Sequence, residues 1–184
     1  NSAMYNLAVG ATALDAVSSG DYNTAIGYNA LTTNTSGGSN IAMGYDALAA
    51  NTSGARNIAI GLRALDASDN ENDNIAIGQD ALGGSLNGAS GNVAIGNFAM
   101  DVNTTGNNSV GIGYAALSDN TSGGGNTAVG AFALHSNTTG IYNSAFGEYA
   151  LEENNTGHYN SAYGRWALRE NTTGDGNTGL GYGA

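Results

Sequence analysis

In the stretch Ser68 to Asn74, SDNENDN, three carboxylates stand at alternate positions: Asp69, Glu71 and Asp73. Closely spaced oxygen ligands suit a hard cation such as calcium, yet the glycine and the distal glutamate of an EF-hand loop are missing here. The stretch is a candidate calcium site, set against the plainer expectation of a solvated acidic loop.

The second group with chemical potential lies in the last third of the chain. Tyr149, Trp166 and Tyr182 follow closely on a recurring glycine, and Tyr142 and Tyr159 recur one repeat apart. Glu148, Glu152, Glu153, Arg165, Arg169 and Glu170 gather in the same region. Aligned on neighbouring coils, Tyr142, Tyr149, Tyr159, Trp166 and Tyr182 are a candidate strip for stacking on surface carbohydrate. The competing expectation is packing between subunits.

Asn34, Asn51, Asn103, Asn120, Asn137, Asn154 and Asn171 each begin an N-x-S/T glycosylation acceptor, although turn chemistry explains the same residues. Thr35, Thr52, Thr104, Thr121, Thr138 and Thr172 share one position, and a regular threonine array can match an ice lattice. Asp69, Leu86 and Asn155 interrupt that column. The threonines also fall in a glycine-containing corner and not on a flat strand face. His135 and His158 are the only histidines, and they form no HxxxH or related ligand pair. With no cysteine and no lysine, a thiol nucleophile and a phosphate-loop lysine are both excluded. Catalysis is not expected, and no organic cofactor is implied.

What must position these residues is a repeat. Glycines at 10, 27, 44, 61, 78, 96, 113, 130, 147, 164 and 181 recur about every 17 residues, with a single longer step between Gly78 and Gly96. Alanine follows each glycine at a constant offset, then leucine, with Met100 the substitute. A fixed period of this length signals a solenoid of stacked coils. We expect one repeat domain over 1–184, of about ten to eleven coils and without an internal boundary.

Within a coil, NxAIG has the alternation and β-branched content of a strand, while xxALxx reads as a strand or a single helical turn. Strands of about five residues are expected. The Ala and Leu columns are expected to line the interior together with the apolar residue before each glycine, from Val9 through Ile26 and Ile60 to Leu180. Asparagine holds one place ahead of ten of the eleven glycines, Ser109 being the exception. That column is either an amide ladder or a series of left-handed turn residues. NT[ST]G is one corner, and GGSLNGASG, from Gly83 to Gly91, carries the extra residue in a bulged corner. The expected class is an all-β parallel β-solenoid with narrow, flattened coils.

The 184 residues carry 15 acids against four arginines, a net charge of −11 that disfavours nucleic acid and anionic membrane surfaces as partners. No apolar run approaches a membrane span and no signal peptide is visible. The chain starts without Met, as expected of a processed or excerpted piece. Thirty glycines and no proline would suit disorder, but a disordered chain does not hold this register. Two large apolar side chains per coil are a small burial against the entropy of ordering the whole coil. Homo-oligomerisation is therefore expected to supply the rest.

NTAIGYNA (Asn23 to Ala30), NIAIGLRA (Asn57 to Ala64) and NTAVGAFA (Asn126 to Ala133) resemble the YadA-type head repeats of trimeric autotransporter adhesins. They are also similar to the Asn/Thr/Gly-rich repeats of phage tail-fibre and related surface proteins. The resemblance covers essentially the whole chain and implies a left-handed parallel β-roll, three copies about one axis, on an extracellular, cell or virion surface. The period here is longer than in the adhesin heads because NT[ST]G is inserted. The expected function is a structural or adhesive fibre module, a homotrimer or a head-to-tail filament; ice binding is the alternative.

Overall fold

A computed structural model describes residues 3–184. The chain winds into a parallel β-solenoid of about ten turns. Each turn contributes one three-residue strand: β1 (Leu7–Val9), β2 (Thr24–Ile26), β3 (Ile41–Met43), β4 (Ile58–Ile60), β5 (Ile75–Ile77), β6 (Val93–Ile95), β7 (Val110–Ile112), β8 (Thr127–Val129), β9 (Ser144–Phe146), β10 (Ser161–Tyr163) and β11 (Thr178–Leu180). They pair in sequence order in one 11-stranded sheet. Ala25 pairs with Ala42 and Ala42 with Ala59, one period apart, and the register absorbs the longer step where Ile75 meets Val93.

The interior is narrower than a mixed apolar core requires. From β2 on, the middle residue of each strand, Ala25, Ala42, Ala59 and their equivalents, is buried. It meets the paired Ala and Leu that follow, such as Ala30 with Leu31 and Ala64 with Leu65. The residue before each glycine does not line this core: Ile60, Phe146 and Tyr163 are exposed and Ile26 and Ile77 half-exposed. A period-2 strand that puts alanine inside must put both neighbours outside. The filling is tuned locally. Met100 takes a leucine place, and a β carbon on the facing Gly111 would lie 3.0 Å from its Cγ.

The xxALxx segment is neither strand nor helical turn. It runs as consecutive turns in which the buried leucines sit in the left-handed region, Leu31 at φ 52° and Leu134 at 51°. An L-residue there costs about 1–2 kcal/mol. Burial and a hydrogen bond to the neighbouring coil offset it, Leu31 N donating to Ala47 O at 3.1 Å.

The asparagine column is an amide ladder. Asn40 Oδ1 accepts the N–H of Asn57 at 2.9 Å, and Asn57 Oδ1 that of Asn74 at 3.0 Å. The same side chains donate from Nδ2 to corner carbonyls, Asn40 to Gly54 O at 2.8 Å and Asn143 to Gly157 O at 2.8 Å. Ser109 keeps the ladder continuous, its Oγ accepting from Asn126 N at 3.2 Å. The left-handed residue is the one before the asparagine, as at Tyr22 (φ 60°) and Arg56 (φ 60°).

Candidate interaction surface and corner seam

The three carboxylates considered for calcium are brought to one corner but turned to different partners. Asp73 Oδ1 accepts from Arg56 Nε at 2.6 Å on the surface, and Asp69 Oδ1 accepts from the Thr52 hydroxyl. Glu71 folds inward and is only 3% exposed. Among the described residues, no group of three or more His, Cys, Asp or Glu side chains is placed to hold a metal ion. The geometry thus gives no shared cation cage for Asp69, Glu71 and Asp73.

What Glu71 does follows from two substitutions in one repeat. Regular corners pair an Asn with the Gly that closes the turn, Asn34 Nδ2 donating to Gly37 O at 2.9 Å. Here Ser68 replaces the asparagine and Glu71 the glycine. In regular corners two N–H groups share a carbonyl of the next coil, as Thr35 N and Ser36 N share Thr52 O. At this corner the following coil carries the extra residue, and Glu71 Oε2 takes both N–H groups, Asp69 at 3.0 Å and Asn70 at 3.1 Å. It also accepts the Ser68 hydroxyl at 2.9 Å, while Oε1 accepts Gly88 N at 3.0 Å. The side chain plugs a register break. Asn51 Oδ1, the ladder atom that an asparagine at 68 would have satisfied, is left without a hydrogen-bond partner.

Burial raises the Glu71 pKa, but the N–H of Gly88, the Ser68 hydroxyl and the local backbone N–H groups outweigh it and hold the carboxyl below its ordinary value. A folded carboxyl below its unfolded value stabilises fully above the unfolded value, and loses that contribution as pH falls through the folded one. Glu71→Gln is expected to cost about 1–3 kcal/mol at neutral pH, because an amide offers one acceptor oxygen where the site presents four donors. Parallel denaturant titrations should show the gap between the two proteins closing below about pH 4.3. Asp66 and Asp101, both raised chiefly by burial, titrate alike in the two proteins and cancel from the difference.

The glycosylation acceptors form a second buried ladder. Asn51 Nδ2 donates to Asn34 Oδ1 at 3.0 Å, and Asn120, Asn137, Asn154 and Asn171 repeat the pattern upward from Asn103. All but Asn171 are fully buried. A glycan on any of those six amides would have to occupy the wall of the folded coil, so the turn-chemistry reading accounts for these residues. The threonine column is likewise occupied: Thr35 Oγ1 donates to Thr52 O at 3.0 Å and Thr121 Oγ1 to Thr138 O at 2.9 Å. The extra residue precedes Leu86, which is buried; Asn87, whose N–H meets Thr104 O at 2.7 Å, is the residue that interrupts the column.

The aromatic strip divides in two. Tyr142 and Tyr159 stack on one another before the strands, at 5.5 Å between centroids. Tyr149, Trp166 and Tyr182 lie beyond the other end of the strands, Tyr149 closing a run of ring contacts that begins at Phe98 and passes through Tyr114 and Phe132, and Trp166 with Tyr182 forming a separate pair. Phe132 and Tyr149 are parallel to within 1° at 5.2 Å. In the parallel pairs Phe132–Tyr149 and Tyr142–Tyr159 the rings cover one another's faces, whereas Trp166 and Tyr182 meet tilted at 54°. Arg165 lies over Trp166 at 4.3 Å and pairs with Glu148. All four arginines pair with a carboxylate on an adjacent coil. His135 approaches Asp119 at 3.7 Å, and His158 Nδ1 accepts Ile141 N–H at 3.1 Å.

The surface that composition alone did not disclose is the outer face of the sheet. Its two columns run from Leu7 and Val9 to Thr178 and Leu180, and in a chain of net charge −11 none of these 11 strands contains a charged residue. In β3 to β7 both outward positions are aliphatic or methionine, Ile41 and Met43 through to Val110 and Ile112. At about 4.8 Å per strand the block apolar in both columns spans about 20 Å. The column before the glycines, from Val9 to Leu180, stays apolar over about 50 Å, while the other column is interrupted by Thr24, Thr127, Ser144, Ser161 and Thr178.

These features define the chain as a parallel β-solenoid repeat protein. Comparison with protein-family models, curated proteins and solved structures finds no match for it. Among the described residues no helix is long and apolar enough to cross a membrane.

Proposed function

We propose that the chain is a structural shaft module of an extracellular fibre, on a cell or virion surface, assembled from copies packed side by side or continued head to tail. The observation that carries this reading is the uncharged stripe. The second large apolar residue of every coil, which apolarity alone assigns to the core, faces outward, so one chain leaves its Ile and Val columns partly exposed. Apolar patches of this length mark association surfaces. The strands hold none of the chain's 15 acidic residues, so copies that meet there bury no strand carboxylate. The similarity of NIAIGLRA to adhesin head and tail-fibre repeats supports the same assignment, with a trimer as the closed form.

Sedimentation tests it. The wild-type chain is expected to assemble at micromolar concentration, and Ile60→Lys combined with Ile77→Lys to sediment as a folded monomer. A wild-type chain that stays monomeric at that concentration overturns the reading. The stacking of Tyr142 on Tyr159 and of Tyr149 on Phe132, with Arg165 over Trp166, favours a shaft over a carbohydrate-binding head. Ice binding is the weaker alternative, because its threonine hydroxyls are already bonded along the coil axis; thermal hysteresis from the monomeric variant would reinstate it.

A further inference from the structure

Asn87–Gly88 is the only Asn-Gly step in the chain, and both residues are exposed. Gly88 sits at φ 84° with open space where a side chain would be. Its N–H is the nitrogen that would close a ring on the Asn87 side chain, and it is held by Glu71 Oε1 at 3.0 Å. We propose that Asn87 is a site of spontaneous, backbone-assisted deamidation, and that the Glu71 carboxylate sets its rate by keeping the Gly88 nitrogen engaged.

The chemistry needs only water. Gly88 N attacks Asn87 Cγ, forming a C–N bond; the Cγ–Nδ2 bond breaks and ammonia leaves with the proton lost from Gly88 N. Water then adds across one of the two ring C–N bonds, leaving an aspartyl or an isoaspartyl residue at position 87. Glycine is the residue that permits this closure, since no β carbon hinders the approach of its nitrogen. Glu71 opposes it twice. It directs the N–H away from the side chain, and its negative charge disfavours the amide anion that must form. The carboxyl is also a poor base, being held below the usual carboxylate range by the donors around it.

The position of the product gives the step a consequence. Residue 87 occupies the same corner place as Asp69 one coil before, so each conversion sets a new carboxylate beside Asp69 and close to the Glu71 plug. An isoaspartyl link also lengthens the backbone of the one coil that already carries an extra residue. Conversion would loosen the seam, and a looser seam would free Gly88 N further. The middle of the rod would thus age before its ends.

The test is neutral-pH incubation of the whole chain, with peptide mass mapping and isoaspartyl detection, for wild type, Glu71→Gln, Glu71→Ala and urea-unfolded wild type. Releasing a hydrogen bond to a charged acceptor predicts conversion at Asn87 about tenfold or more faster in both variants than in folded wild type, ahead of every other asparagine. Asn87→Gln should abolish the signal. Equal rates in folded wild type and both variants overturn the control by Glu71. If the variants unfold, the wild-type comparison decides: folded wild type converting Asn87 as fast as the unfolded chain overturns the proposal, and slower conversion supports it.

Discussion

Gly61→Ala is expected to abolish stacking between the coils of β4 and β5, at a cost above about 4 kcal/mol, although the substitution adds a single methyl group. Gly61 has φ 141°, and a β carbon there would lie 2.7 Å from the carbonyl carbon of Gly78 and closer still to its oxygen. The obstacle is backbone, which cannot rotate away. Gly78 meets Gly96 in the same manner, so the column is a stack of main chain on main chain with no space for a side chain. Gly181→Ala is the internal control: φ there is 123° and nothing lies within 4 Å of the added atom. It keeps the backbone strain, about 1–3 kcal/mol, and lacks the collision. Thermal unfolding followed by circular dichroism should show a small loss for Gly181→Ala and a split or absent transition for Gly61→Ala. Similar melting of the two would remove the collision from the account.

The regular period made the solenoid legible, because each recurring glycine, alanine and asparagine marks a place that stacking copies from coil to coil. The asparagine column was legible for the same reason, but its spacing left an amide ladder and a left-handed turn equally open, because the two differ only in where the side-chain amide bonds. The direction of the strand was not. Apolarity assigned Ile26 and Ile60 to the interior, whereas the space inside one coil is set by Ala25 and Ala59, and the larger residues face outward for lack of room. Nor was the left-handed backbone at Leu31 and Leu134 legible, since leucine has no preference for it and only contact with the next coil holds it there. Glu71 left a signal that counting carboxylates missed. It stands in a glycine place in the same repeat where Ser68 stands in an asparagine place, and two departures in one corner point to one compensating contact. Tyr142 and Tyr149 are near neighbours in sequence, yet the strand β9 separates them.

Asn143→Asp is expected to be among the most damaging isosteric changes in the chain, with a pH dependence opposite to that of Glu71. Asn143 is fully buried; its Oδ1 accepts Asn160 N–H at 2.9 Å, and its Nδ2 donates to Gly157 O at 2.8 Å and faces Asn126 Oδ1 at 3.3 Å. A carboxylate keeps the first contact and turns the other two into oxygen facing oxygen. Unpaired buried charge of this kind costs about 3–5 kcal/mol, and the carboxyl lowers that cost by staying protonated, so its folded pKa rises. Below the unfolded value, about 3.9, both states are protonated and the variant nearly matches wild type, because a carboxylic acid can still donate to Gly157 O. As pH climbs past that value the unfolded chain ionises first, and the deficit grows until the folded pKa is reached. Asn143→Ala, which leaves Asn160 N–H without its acceptor and Gly157 O with only the Asn154 Nδ2 donor at 3.0 Å, should cost about 1–3 kcal/mol and show no such titration. The difference in unfolding free energy between the two variants across pH 3 to 7 isolates the charge from the lost hydrogen bonds. An Asn143→Asp deficit that stays flat over that range would mean that the ladder tolerates a carboxylate by opening to water.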